Sequence, residues 1–299
     1  MQRKIADAEV LALVSGGARC EVFPSLGGSI GSWTLDGQPL LRSASPASIA
    51  AADPFGMASF PLVPYSNRIG HGRFEWAGRG LTLAPNFLPE PHAIHGVGFM
   101  QPWSVIAHSA GQLTLELSYR PGAGWPWPFR AQQRFSLANG ELTLDLQAVN
   151  MAAFAVPLAF GHHPYFPREG ATLQFRAQGV WLVGPDGLPA LKVAPFDQFD
   201  FSIAKSVERG NIDHCFSGWT GTARVEWRER PWALDIEASP NLTYAVVCLR
   251  PDLDGFCFEP VPHANDAVNL RRDVSAMPVV EPGEIFRARI RFRAVPIGR

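Results

Sequence analysis

With 299 residues, 46% of them hydrophobic and 18% charged, the chain has an ordinary soluble composition and can bury a large core. Its formal net charge is -1 and it has no long basic run, which argues against nucleic acid as a partner. No apolar run approaches the roughly 18 residues that would span a bilayer, so no membrane association is expected.

In chain order, the first 17 residues carry Asp7 and Glu9 before a very short apolar run and make a poor secretion signal. The sequon Asn241-Leu242-Thr243 therefore carries no weight, and a cytoplasmic location is expected. The first segment rich in polar groups is Pro61 to Gly70, where Asn67 and Arg68 offer hydrogen-bond donors in a Pro-rich loop. From these residues alone, a surface turn with a solvated Arg remains open. His92 and His95 follow, three apart and without an HExxH pattern, so neither a metal site nor a structural role is fixed. Gly96 and Gly98 beside them suggest a bend or a close backbone approach.

Period-two alternation then takes over. Leu113 to Tyr119 reads as a strand. Phe129–Leu137 and Leu142–Ala148 flank Asn139-Gly140, a strong hairpin signal. Gly161-His162-His163-Pro164-Tyr165-Phe166 comes next. If it is extended, the two histidines face opposite sides, so only one can enter a given pocket, and Pro164 biases His163 towards extension. Trp181 to Gly184 with Pro185-Asp186-Gly187 reads as strand and turn, and Phe201 to Arg209 as a short helix. Asp213, in Asn211 to Phe216, could accept bonds from hydroxyls or could cap a turn. Val225-Trp227 and Trp232-Ile236 form another hairpin. Glu259 ends an apolar run, Phe256-Cys257-Phe258, where a carboxylate is costly unless it is paired or functional. From Arg287 to Arg293, Arg alternates with Ala, Ile and Phe, the pattern of a strand with one solvated face.

Gly (28) and Pro (27) are scattered rather than collected in a linker, and no repeat or composition break is present. The expected fold is all-β, a large antiparallel sandwich or barrel forming one domain over 1–299. The four cysteines, Cys20, Cys215, Cys248 and Cys257, show no CxxC spacing, so reduced thiols are expected rather than disulfides or a zinc site.

An imidazole titrates near neutrality, and a carboxylate among apolar neighbours has a raised pKa. His163 and Glu259 therefore make an acid/base pair suited to cellular pH.

Taken in order, PYSNRIG with GRF following, IHG, HPYF, DHCF and FEPVPHANDAVN resemble the aldose 1-epimerase (galactose mutarotase) family, over essentially the whole chain. The resemblance implies the large antiparallel β-sandwich of galactose mutarotases, with a sugar in an open cleft across one sheet. It implies that Glu259 is the general base that takes the proton of the anomeric hydroxyl. His163 would be the general acid at the ring oxygen. Arg68, His95 and Asp213 match hydroxyl-binding and polarising positions, with Asn67 beside them. The expected substrate is an aldohexose. The reaction moves only protons, so no metal or cofactor is expected. The chain departs from many relatives at Asn265-Asp266-Ala267, at Pro164, and in Val-Gly-Phe-Met-Gln-Pro-Trp after IHG, which leaves the sugar open. Of the nine tryptophans most are expected in the core, and Trp33, Trp103, Trp125 and Trp127 are the candidates to stack on it. Alternatives are a hexose-6-phosphate 1-epimerase, which would need an Arg or Lys cluster at the cleft, a glycoside hydrolase using Asp213 with Glu259, and a non-catalytic carbohydrate-binding protein.

Overall fold

The computed structural model describes residues 2–5, 8–270 and 276–298; Asp7, one of the acids that weakens the leader pattern, lies outside them. Alternation builds this fold. Along Phe129–Ala138 every second residue is buried, and Glu141–Asn150 repeats the pattern after a turn in which Asn139 (φ 50°) and Gly140 (φ 73°) take left-handed conformations. Those angles match the type I′ turn that follows strand twist, so Leu137 pairs with Leu142 and the register is fixed. The Arg-rich strand Ile285–Pro296 lies next to Glu141–Asn150. Its alanines, isoleucine and phenylalanine point inward, while Arg289, Arg291 and Arg293 pair outside with Asp145, Glu237 and Asp235.

Two large antiparallel sheets result. One, of nine strands among the described residues, contains Phe129–Ala138, Glu141–Asn150, Ile285–Pro296, Trp232–Ala238 and Thr222–Trp227 as successive neighbours. The other, of twelve, runs in the order Ser59–Leu62, Gly161–Pro167, Gly255–Val261, Tyr244–Leu249, Ile212–Ser217 and Gly179–Val183 through its central half. They pack face to face. Phe166 from the second sheet and Trp33 both meet Phe292 from the first, at 6.3 and 6.1 Å between ring centroids. A buried polar chain also crosses the interface. His162 shares a short hydrogen bond with Ser59 Oγ through Nδ1, its Nε2 donates to Gln133 Oε1 (3.3 Å), and Gln133 donates to the Gly28 carbonyl (2.8 Å). Of the all-β sandwich or barrel that the alternation left open, the chain forms the sandwich.

The stretch 201–209 is not helical. Lys205–Ser206 pairs with Ala171–Phe175, and the Phe201 carbonyl accepts from the Phe175 N–H. Phe201 stacks on Phe175 at 5.0 Å, so burial of its ring beside a strand overrides the local helical pattern. The helix instead spans Pro46–Ala50, capped by Ser45 Oγ on the Ser48 N–H, with Pro at its first turn.

Candidate functional site

The twelve-stranded sheet has a second apolar layer on the face turned away from the sandwich. Phe60, Tyr165, Trp181, Cys215, Val246, Cys257 and Val261 form it, each buried and drawn from strands that are neighbours in the sheet. Period two decides which side chains reach this face. In Gly161–Pro167, His162 points into the sandwich, whereas His163 and Tyr165 point out. Tyr165 is paired with Cys257 on the adjacent antiparallel strand. Two residues further along each strand in the same register stand His163 and Glu259.

Their side chains meet, His163 Nε2 lying 3.2 Å from Glu259 Oε1, and both residues are buried. Burial pushes the Glu259 carboxyl well above the usual carboxylate range, with Cys248 and Asp213 adding to the rise and Arg68 opposing it. Burial likewise pushes His163 down to about 3. Both effects disfavour charge, which favours a neutral carboxylic acid beside a neutral imidazole, with one proton carried between them, over separated charges. Phe60 stacks on the His163 ring at 4.5 Å and Tyr165 lies 4.7 Å away, which fixes the plane of the imidazole. Among the described residues, Glu259 Oε2 and His163 Nδ1 have no hydrogen-bond partner.

A cleft of about 260 Å³ opens above the pair, lined by Asn67, Arg68, Glu90, His95, Asp213 and Arg250 among others. The loop after Ser59–Leu62 and the segment around His95 build one wall, and their glycines are required. A Cβ on Gly96 would sit 2.3 Å from the Val63 carbonyl oxygen, and one on Gly98 2.3 Å from Val63 Cγ1. That close approach lets the Val97 and Gly98 N–H groups both donate to the Val63 carbonyl. His95 and Asn67, both at positive φ, then clasp each other. The His95 N–H donates to the Asn67 carbonyl (2.9 Å) and the Asn67 N–H donates to His95 Nδ1 (3.1 Å). The second bond fixes the tautomer, so the His95 proton is on Nε2. His95 packs edge-on against His163, with ring centroids 5.1 Å apart. Burial, then the neighbouring His163 and Arg68, holds it well below its ordinary pKa, and it is a neutral donor.

Asn67 Oδ1 accepts from both the backbone N–H and Nη1 of Arg68. The guanidinium continues to Glu90 (Nε, 3.4 Å) and Asp213 (Nη2, 3.5 Å). Asp266 holds this loop from below: its N–H donates to the Arg68 carbonyl and its carboxylate accepts from Gly70 N–H. The structure thus brings Glu259, His163, Arg68, His95, Asp213 and Asn67 to one cleft. His92 does not join them. Its Nδ1 accepts from the His71 N–H and its Nε2 donates to the Asp186 carbonyl.

The tryptophans proposed to stack on a ligand do not reach the cleft. Trp33, Trp103, Trp125 and Trp127 are buried in the core, Trp125 lying between Phe74 and Tyr65. The aromatic walls are instead Phe55, Phe87 and Tyr165. Sequence reasoning also missed Glu90 and the pair Arg250–Asp252 (2.5 Å), which line the same cleft. Glu90 and Phe87 carry no local signal, because they sit in an irregular loop. Arg250 could have been found once Tyr244–Leu249 was recognised as a strand neighbouring Glu259. A larger groove, about 610 Å³, lies between Gln38, Glu169, Trp227 and Trp232 and holds none of these residues, so size alone does not mark the site. Among the described residues, no helix is long and apolar enough to cross a membrane.

Comparison with known proteins gives this cleft its context. Residues 9–293 match the family model for aldose 1-epimerase. The chain is 32% identical over 276 residues to the uncharacterized protein YphB of Escherichia coli K12, covering 89% of this chain and 92% of that protein. A crystal structure from E. coli K12, described as that of a candidate aldose 1-epimerase, superposes with a TM-score of 0.89 at 29% identity, over 96% of this chain and 99% of that one. The galactose 1-epimerase of Lactobacillus acidophilus NCFM shares the fold, with a TM-score of 0.77 at 19% identity over 100% of this chain and 98% of that one. The chain belongs to the aldose 1-epimerase family, whose members are isomerases acting on sugars.

Proposed function

We propose that the protein, one domain over 1–299, is a mutarotase that interconverts the α and β anomers of an unphosphorylated aldohexose, with Glu259 and His163 as the proton-transferring pair. The observation that carries this reading is the 3.2 Å contact between a buried imidazole and a buried carboxyl on the floor of a polar cleft.

With a sugar seated above the pair, the proton passes from Glu259 to His163, giving the isomeric carboxylate and imidazolium, which hold the same single proton. Glu259 takes the proton of the anomeric hydroxyl as the C1–O5 bond breaks, and His163 gives its proton to O5. The products are the open-chain aldehyde and a pair that is again acid plus neutral imidazole. Rotation about C1–C2 presents the other carbonyl face. In closure His163 takes the proton back from the O5 hydroxyl and Glu259 returns one to O1, so the pair resets itself. A carboxyl raised by burial is a stronger base than an exposed one, and a buried imidazolium is a stronger acid, so each is driven in the direction the reaction needs. Arg68, Asp213, neutral His95 and, behind them, Asn67 would hold the hydroxyls, making the proton transfers effectively intramolecular.

The charge pattern supports an unphosphorylated sugar. The cations at the cleft are already matched: Arg68 by Glu90 and Asp213, and Arg250 by Asp252. A phosphate would have to displace these carboxylates, whereas neutral hydroxyls can bond to acids and bases alike.

Polarimetry of freshly dissolved α-D-glucose and α-D-galactose tests the reading. The wild type should accelerate mutarotation of at least one, and Glu259→Gln and His163→Asn should each lower that acceleration about 10²–10⁴-fold with circular dichroism unchanged. Acceleration confined to the 6-phosphates would support the phosphosugar alternative. Binding without acceleration would reduce the protein to a carbohydrate-binding module.

A further inference from the structure

The floor of the cleft holds more than proton transfer requires. Cys257 and Glu259 share the outward face of one strand, and Cys248 stands directly opposite Cys257 on the next. The Cys257 sulfur, a ring nitrogen of His163 and a carboxylate oxygen of Glu259 all lie within 4.8 Å of one another, and all three residues are buried. Cys248 is half-buried and lines the cleft, so the group is open to the ligand side. The second oxygen of Glu259 has no hydrogen-bond partner among the described residues. A thiol has no part in anomer exchange, yet one stands within reach of both proton carriers.

We propose that this cluster is a binding site for a thiophilic divalent cation of the Zn²⁺ class, and that the bound ion inhibits the enzyme. The thiolate of Cys257, the imidazole of His163 and the carboxylate of Glu259 are the ligands, with Cys248 available as the fourth from the cleft side. Binding releases the Cys257 thiol proton and the proton shared by His163 and Glu259. Zinc bond lengths of about 2.0–2.3 Å at tetrahedral angles put ligand atoms about 3.3–3.6 Å apart. The three donors need move together by no more than about 1.5 Å. One sulfur and one nitrogen donor in the set select Zn²⁺ or Co²⁺ over Mg²⁺ or Ca²⁺. An ion held there removes both proton carriers and fills the space above them. The inhibition rests on the mutarotase reading; the binding does not.

The test uses the full chain with Co²⁺ as a spectroscopic probe and Zn²⁺ in calorimetry. One ion per chain should bind, and the Co²⁺ complex should show thiolate-to-cobalt charge-transfer absorption in the near ultraviolet. Cys257→Ser should weaken that band, and Cys257→Ser combined with Cys248→Ser should abolish it; Cys257→Ser alone should weaken Zn²⁺ by at least about tenfold, since even the loss of a supporting residue around a metal costs that much. Should Cys257→Ser not fold, Glu259→Gln, which loses a ligand but keeps the thiols, should weaken Zn²⁺ by the same order. In polarimetry Zn²⁺ should suppress the wild-type rate and a chelator should restore it. Co²⁺ bound without a thiolate band, Zn²⁺ affinity unaffected by these substitutions, or no stoichiometric binding would overturn the site. A bound ion that leaves the rate unchanged would overturn its inhibitory role. If the wild type accelerates no sugar, the mutarotase reading falls, while the cobalt spectrum still decides the site.

Discussion

His162 and His163 are neighbours in sequence and opposites in circumstance. His162 faces the sandwich, where Ser59 and Gln133 use both of its nitrogens. His163 faces the cleft, touches Glu259 through one nitrogen and leaves the other unpartnered among the described residues. Both are buried and both are pushed down to about 3 by burial, so neither depth nor acidity tells them apart. What differs is satisfaction. A histidine with both nitrogens committed is a brace between sheets, whereas one with spare capacity beside a carboxyl is equipped to exchange a proton with something that arrives.

That contrast can be broken from either side. The largest effect expected is on the cleft face, where Glu259→Gln should cost the 10²–10⁴-fold in mutarotation given above, with little change in a urea melt. On the core face, His162→Ala should reverse the pattern. It strands the Ser59 hydroxyl and the Gln133 amide in a dry interface and removes packed atoms, a loss of about 2–4 kcal/mol in unfolding free energy. The folded fraction should still work. If His162→Ala abolished catalysis at unchanged stability, the division of labour between the two faces would be wrong.

Acid should expose the core-face histidines as a group. His263 donates from Nδ1 to the Ala264 carbonyl and accepts from the Ser66 N–H at Nε2, and burial lowers it to about 4. Its folded pKa lies below the unfolded value of about 6.5, so between these values the unfolded chain binds a proton that the folded chain refuses. Its contribution is therefore complete above about pH 6.5 and lost as pH falls towards 4, at about 1.4 kcal/mol per pH unit. His162 adds a similar slope. Urea midpoints at pH 7, 6 and 5 should fall accordingly, and His263→Gln should flatten the fall; an unchanged slope would contradict it. The smallest effect is at the rim. Arg68→Lys keeps the charge but loses the fork shared by Asn67, Glu90 and Asp213, and should raise KM about tenfold with kcat nearly unchanged.

Much of this was readable beforehand because one rule, alternation, governs both fold and site. It predicted the hairpin at Asn139-Gly140, the solvated Arg face of the last strand, and the divergence of His162 from His163. What it could not supply is the lateral order of strands. Asp213, Cys248 and Glu259 share a cleft because Ile212–Ser217, Tyr244–Leu249 and Gly255–Val261 are neighbours in the sheet, which no local pattern states. The tryptophans stayed open for a related reason: a large ring suits a sugar face and a core equally, and here the core, expected for most of them, takes all four candidates. Loop residues such as Glu90 and Asp252 follow no period at all, and their place at the cleft comes only from the path of the chain.

The register that sets His163 against Glu259 joins strands separated by about a hundred residues of chain. A contact across that much chain carries a loop-closure cost that neighbouring hairpins do not, and it slows folding accordingly. Turnover is therefore a reporter of finished architecture. A partly assembled chain can bury apolar surface and show strand content, and it will still be catalytically silent.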